Sequence, residues 1–191
     1  MSKMRTFKRS LCVYCGSKFG LNPHHKAAAE TLGRMAAERD WRIVYGGGRL
    51  GLMGAAAGAA RDAGGAVYGV IPNFLVELEG ILDGVDHDVV ETMHERKMKM
   101  FEAADAIVTL PGGIGTLEEV VETVSWARLQ LHRKPIILLN IEGYWAPLKQ
   151  LFDHIVGEGF ADRELLSDVI LVDNVEDVFS CAEKRLLRAV V

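Results

Sequence analysis

Residues 106–119 read Ala-Ile-Val-Thr-Leu-Pro-Gly-Gly-Ile-Gly-Thr-Leu-Glu-Glu. The apolar stretch Ala106–Leu110 runs straight into Pro111-Gly112-Gly113, and a helical pattern opens at Thr116 and continues to Leu131. A short apolar run, stopped by turn residues and followed by a helix, is one strand–helix unit of a parallel sheet covered on both faces. The alternation repeats in both directions. Upstream, strands are expected at Ser10–Cys15, Trp41–Tyr45, Ala66–Ile71 and His87–Glu91, with helices at Pro23–Asp40, Leu52–Ala63 and Met93–Ala104. Asn73–Gly84 reads as irregular or as a short helix. Downstream, strands are expected at Pro135–Asn140 and Val169–Val172, with helices at Tyr144–Gly157 and Val175–Ala189.

Strands and helices in strict alternation predict the α/β class. The expectation is a single doubly wound, mostly parallel Rossmann-like sheet of about seven strands with helices on both faces. No linker or low-complexity stretch divides residues 1–191, so one domain is expected. Lys and Arg total 22 against 26 Asp and Glu, a net charge of −4. That balance gives no electrostatic footprint for nucleic acid or an anionic membrane, and neither is expected as a partner. No apolar run is long enough to span a bilayer. The basic start Met1–Ser10 is followed by an apolar run too short for a signal peptide, and the three cysteines fit reduced thiols, so a cytoplasmic location is expected. Cys12 and Cys15 spell C-x-x-C, but on a strand residues three apart face opposite ways, which suits packing rather than a redox or metal pair.

A doubly wound sheet binds its ligand outside the carboxyl ends of the strands, where strand order reverses. The loops there are Gly16-Ser17, Gly46–Gly51, Thr92–Lys97 and Pro111–Thr116. Gly46, Gly48 and Gly51 form G-x-G-x-x-G, but after the second strand, and Val70-Ile71-Pro72-Asn73 brings no acid for a ribose hydroxyl, which argues against a dinucleotide. No P-loop pattern and no G-x-S-x-G occur. His94-Glu95-Arg96-Lys97-Met98 is not H-E-x-x-H, the histidines show no metal spacing, and neither metal nor cofactor is expected. The loop 111–116 can converge backbone N–H groups on an anion at a helix start, with the Thr116 hydroxyl as a further donor. Ser17 either touches ligand or caps its turn. Met93, Met98 and Met100 recur at a spacing that suits packing.

Glu119 has two readings. Thr116-Leu117-Glu118-Glu119 matches a capping box, with Glu119 reaching back to the Thr116 N–H. Alternatively it is a cleft-facing carboxylate, kept ionised by the helix field and suited to serve as a base or to stabilise a developing cation. An ionised carboxylate beside a bound phosphate requires a cation, and Arg96 and Lys97 supply two at the cleft edge.

Val44-Tyr45-Gly46-Gly47-Gly48, Gly51-Leu52-Met53-Gly54, Met93-His94-x-Arg96-Lys97 and P-G-G-x-G-T-x-x-E at 111–119 occur in this order. Together they resemble the Lonely Guy family of cytokinin riboside 5′-monophosphate phosphoribohydrolases over roughly Ser10–Gly157. Members of that family often carry the label lysine decarboxylase, but no Schiff-base lysine with a ring-nitrogen partner stands out in this sequence. The resemblance implies catalytic Arg96 and Glu119, with Arg96 also holding Glu119 in place. It implies substrate contacts from Ser17, Gly46, Gly47, Gly48, Glu79, Met93, Lys97, Gly112, Gly113, Ile114, Gly115, Thr116, Leu117, Glu118 and Ser125. Glu77 competes with Glu79 for the acidic position, and Ile114 stands where plant members carry tyrosine. The implied reaction is hydrolysis of the N-glycosidic bond of N6-modified adenosine 5′-monophosphates, and of AMP, to free base and ribose 5-phosphate by a homodimer. The alternative is a non-catalytic nucleotide or molybdenum-cofactor carrier on the same fold. The sequence offers no acid to protonate the departing base.

Overall fold

A computed structural model describes residues 7–188. In chain order the elements are β1 (Arg9–Tyr14), α1 (Pro23–Glu38), β2 (Trp41–Tyr45), α2 (Gly51–Asp62), β3 (Val67–Pro72), α3 (Asn73–Glu79), β4 (Asp86–Val90) and α4 (Met93–Glu102). There follow β5 (Ala106–Thr109), α5 (Ile114–Arg128), β6 (Ile136–Leu139), α6 (Ala146–Gly157), α7 (Leu165–Asp168), β7 (Val169–Val172) and α8 (Val175–Arg188). Residue 189, the expected end of the last helix, lies outside the described residues. The strands form one seven-stranded sheet in the order β4-β3-β2-β1-β5-β6-β7, and every ladder is parallel. A lone antiparallel bridge joins Gly48 to Ile81 beside it.

The two faces of β1 divide the core. Leu11 and Val13 pack with Ala28, Leu32, Ala56 and Phe179 from α1, α2 and α8. Cys12 and Tyr14 point the other way, into Met100, Val120, Val124 and Phe152 from α4, α5 and α6. This is the period-2 alternation of a strand buried on both sides. It also separates the C-x-x-C pair: both thiols are buried, Cys12 in one cluster and Cys15 in the other. Burial pushes both thiol pKa values up, away from reactive thiolate.

Chain reversal between β4 and β5 puts β1 at the switch point, flanked by β2 and β5. There the Gly16 N–H donates to the Pro111 carbonyl at 3.1 Å, so the loops after β1 and β5 are joined at their roots. Gly51 opens α2 at φ +58, and a Cβ there would collide with the backbone of Ser17 and Lys18. Only glycine brings the α2 N-terminus this close to the β1–α1 loop.

Most element bounds shift by one or two residues from the sequence reading, and three places matter for the site or the fold. Of the two readings of residues 73–84, the short helix holds: α3 stops at Gly80 and buries no residue. The helix expected at Tyr144 starts at Ala146, after a 3-10 turn over Ile141–Gly143, because the Asn140 side chain accepts the Trp145 N–H at 2.8 Å. The short α7 has no periodic signal in sequence. Helix α5 begins at Ile114, two residues before Thr116. Among the described residues no helix is long and apolar enough to cross a membrane.

Helices α1 and α2 approach closely because Gly33 lacks a side chain: an added Cβ would strike the Ala56 carbonyl oxygen and lie 2.9 Å from the Ala60 nitrogen. Gly33→Ala should therefore lower stability by about 1–3 kcal/mol despite its better helix propensity. Urea unfolding measures this, and a variant as stable as the parent would contradict the packing.

Candidate active site

A cleft of about 710 Å³ opens over the carboxyl ends of the central strands. Its lining brings together most of the sequence candidates: Ser17, Gly46, Glu79, Met93, Arg96, Gly112, Gly113, Ile114, Gly115, Thr116, Glu118 and Glu119. Gly47, Gly48, Lys97, Leu117 and Ser125 do not line it. Leu117 packs on the α4–α6 side of the core, and Ser125 is exposed on α5. Gly48 stands behind Glu79, where an added Cβ would lie 2.7 Å from Oε2. Glu77 is exposed and Glu79 lines the cleft, with its Oε2 buried and unpartnered, so Glu79 is the better placed of the two acids.

Arg96 is placed by a helix cap. Thr92 Oγ1 accepts the Glu95 N–H at 3.1 Å, and Glu95 Oε2 accepts the Thr92 N–H at 3.2 Å. This capping box fixes the start of α4, and the next residue, Arg96, turns inward and is buried. Its Nε donates to the Val70 carbonyl at 3.2 Å and its Nη2 to the Gly46 carbonyl at 2.9 Å. A Cβ on Gly46 would overlap the guanidinium, so the first glycine of the G-x-G-x-x-G makes room for arginine rather than for a dinucleotide. Arg96 forms no ion pair with Glu119 among the described residues. The expectation that it holds Glu119 is therefore corrected: backbone carbonyls hold Arg96. Lys97 is spent elsewhere, with Nζ 2.5 Å from Glu118 Oε1 and 2.9 Å from Glu122 Oε2. It supplies no free cation to the cleft.

The α5 end differs from both sequence readings. Gly113 is the N-cap and no side chain caps the helix, so Thr116 sits in the first turn and Glu119 in the second. The capping-box reading of Glu119 is overturned. The Pro-Gly-Gly loop lets the helix begin earlier, and Thr116, Glu119 and Thr123 then share its buried face. Thr123 Oγ1 donates to the Glu119 carbonyl at 2.8 Å, while the Glu119 carboxyl makes no hydrogen bond or ion pair among the described residues. The expected ionisation by the helix field is also corrected. Burial raises the Glu119 pKa to about 7, opposed by the charge of Arg96. One turn inside the helix, the field of the terminus has faded and desolvation dominates.

Sequence reasoning missed the wall facing α5. Lys18, Phe19, Leu21, Asn22 and His25 line the cleft from the β1–α1 loop and the α1 start. The rule that selected Ser17 extends to this whole loop, since all of it follows the carboxyl end of β1. Tyr144 also lines the cleft and donates its hydroxyl to the Gly112 carbonyl at 2.5 Å. No local signal marks it, because it arrives from beyond β6.

Residues 53–181 match the family model described as "Possible lysine decarboxylase". The chain is 45% identical over 174 residues to the "Probable cytokinin riboside 5′-monophosphate phosphoribohydrolase LOG4" of Oryza sativa subsp. japonica, covering 90% of this chain and 75% of that one. This chain belongs to the cytokinin riboside 5′-monophosphate phosphoribohydrolase family. The family reaches bacteria: the protein of that name from Rhodococcoides fascians is 42% identical over 177 residues, covering 92% of this chain and 89% of its own. Among solved structures, the Moco carrier protein of Chlamydomonas reinhardtii superposes with a TM-score of 0.73, covering 95% of this chain and 99% of its own. At 24% identity that likeness shows the shared fold alone.

The raised Glu119 pKa has a consequence for stability. A carboxyl whose folded pKa lies above its unfolded value stabilises the fold fully below about pH 4.5, and that contribution is lost as pH rises through about 7. Glu119→Gln should thus be more stable than the parent at pH 8, by roughly 3 kcal/mol, with the difference closing toward pH 5. Urea unfolding at both pH values tests this, and equal stability at pH 8 would place the carboxyl in water.

Proposed function

We propose that this chain hydrolyses the N-glycosidic bond of N6-modified adenosine 5′-monophosphates, and of AMP, to free base and ribose 5-phosphate. Relatives at 42–45% identity named for this activity support the reading. The observation that carries it is the buried, unpaired Glu119 carboxyl in the same cleft as an arginine bound only by neutral groups.

The substrate phosphate binds at Gly113–Thr116, where the first N–H groups of α5 are free and Gly113 and Gly115 leave open space. Arg96 contributes a fixed positive charge with no acid to neutralise it. The bond to C1′ breaks with its electron pair going to the base nitrogen, which leaves the sugar cation-like. Ionised Glu119 stabilises that charge and accepts a proton from the water whose oxygen bonds to C1′. A pKa near 7 makes it a stronger base than an ordinary carboxylate while keeping about half of it ionised at neutral pH. The proton is then available to the departing base, so water is consumed and the carboxylate is restored. Glu79, also at the cleft, is a candidate contact to the sugar hydroxyls. Binding energy from the phosphate, remote from the broken bond, positions the sugar.

The cleft does not suit pyridoxal phosphate decarboxylation. Among the described residues, the single lining lysine, Lys18, is exposed, and no aspartate lines the cleft. A homodimer belongs to the same proposal, and the exposed Val121 on α5 and Leu129 just beyond its end supply apolar surface for it.

Glu119→Gln should bind AMP with little change and lose turnover at least a hundredfold, consistent with about 2.7–4 kcal/mol for a key electrostatic contact. Release of free base from AMP and from isopentenyladenosine monophosphate measures this, and a near-normal rate removes Glu119 from the chemistry. Ribosides lacking the phosphate should be poor substrates. Equal kcat/KM on riboside and nucleotide would show that the α5 loop does not bind phosphate.

A further inference from the structure

His25 is assigned no part in the mechanism above, yet its surroundings are unusual for a packing residue. It lies in the first turn of α1, fixed by Pro23 and by Asn22, whose side chain accepts the His24 N–H at 2.9 Å. The imidazole is 8% exposed and lines the cleft. Among the described residues neither ring nitrogen has a hydrogen-bond partner. One edge meets Tyr144 with ring centroids 5.4 Å apart at 81°. Tyr144 has already committed its hydroxyl to Gly112 at the root of the α5 loop, which brings the imidazole to the flank of that loop. On the other side Nδ1 faces Gly20, where an added Cβ would lie 3.3 Å away.

A neutral imidazole always carries one N–H donor. Uncommitted among the described residues and placed on the cleft wall, that donor is free to serve a ligand that enters the cleft. The anion at the α5 start lacks donors on this side. Lys97 is tied to Glu118 and Glu122, and Arg96 is anchored at the ends of β2 and β3. We propose that His25 donates its ring N–H to the substrate's 5′-phosphate, closing the anion site from the wall opposite α5 and favouring nucleotide over riboside. The assignment rests on the reaction proposed above. Exposed Lys18, also on this wall and without an ion pair among the described residues, adds diffuse positive charge. Glu142 is engaged by His24 at 2.9 Å rather than by His25.

The test compares His25→Phe, which keeps a ring against Tyr144 but has no donor, with His25→Gln, which keeps a donor. On AMP, His25→Phe should raise KM about tenfold, as expected for loss of a hydrogen bond to a charged group, with a smaller change in kcat. The loss in kcat/KM should be about tenfold greater on AMP than on adenosine, and His25→Gln should recover much of it. Equal losses on both substrates, or no loss, overturn the assignment. If the parent releases base from neither substrate, the reaction proposed above fails, and His25 is judged by binding alone. The His25 imidazole proton resonance, identified by its absence in His25→Phe, should then move saturably as inorganic phosphate is added and stay in place with adenine. A resonance that ignores phosphate, or follows adenine instead, overturns the assignment whatever the reaction.

Discussion

The Arg96 guanidinium, buried and bound to two main-chain carbonyls instead of an acid, is the constraint around which the cleft is built. Taking a charge out of water is expensive, and a carboxylate partner is the usual remedy. Here the carbonyls of Gly46 and Val70, at the carboxyl ends of β2 and β3, take that place. Hydrogen bonds to a charged group contribute about 1.5–3 kcal/mol each, enough to hold the side chain without cancelling its charge. The arrangement dictates sequence around it. Position 46 has no room for a side chain, Met53 and Met93 place their sulfurs 3.9 and 3.8 Å from the guanidinium, and the Thr92–Glu95 cap sets the helix phase that turns Arg96 inward. A positive charge left uncompensated in a cleft is a standing preference for an anionic ligand.

Glu119 is set against this charge. Arg96, Lys97 and the α5 dipole favour its ionised form, while desolvation and the neighbouring Glu118 and Glu122 oppose it. Desolvation wins because Glu119 sits a full turn inside the helix and no group in the described structure hydrogen-bonds to its carboxyl. The outcome is a base poised near neutrality rather than a permanently ionised acid. A salt bridge to Arg96 would have held the carboxyl low and made it a weak base. With Arg96 held by main-chain carbonyls and the Glu119 carboxyl unpartnered, neither charge is consumed by the other.

The fold was legible because four of the strands carry a glycine or proline stop. Gly16-Ser17, Gly46–Gly48, Pro72, and Pro111-Gly112 each end an apolar run, and the periodicity then changes from 2 to 3.6. The site was legible where function depends on loops that follow those stops. It was not legible where the same local pattern has two outcomes. Thr-x-x-Glu occurs at 92–95 and at 116–119, and only the first is a cap. The difference lies upstream: Gly112-Gly113 has no side chain to oppose an earlier helix start, so the second Thr and Glu are carried inside the helix. Lys97 misled for a related reason. One position beyond Arg96 it points some 100° around the helix, toward Glu118 and Glu122 on α5, and only the packing of α4 on α5 shows that. Tyr144 and His25 meet across a gap of more than a hundred residues, which no window of sequence spans.

The buried face of α5 shows how site and core share one element. Thr116, Glu119 and Thr123 recur at intervals of three and four among Val120 and Val124, a polar line on a face that packing alone would make apolar. Thr123 relieves part of the conflict, since its hydroxyl donates to the Glu119 carbonyl and lies 3.3 Å from the Tyr14 hydroxyl. The Glu119 carboxyl receives no such relief. A carboxyl left without a partner on a face that packs into the core is a group whose presence is explained by what enters the cleft. The apolar sheet face behind α5, with Cys12 and Ile107 fully buried, backs the helix while the glycine loop in front stays open. Rigidity behind and space ahead follow from the strand–loop–helix order that residues 106–119 spell out.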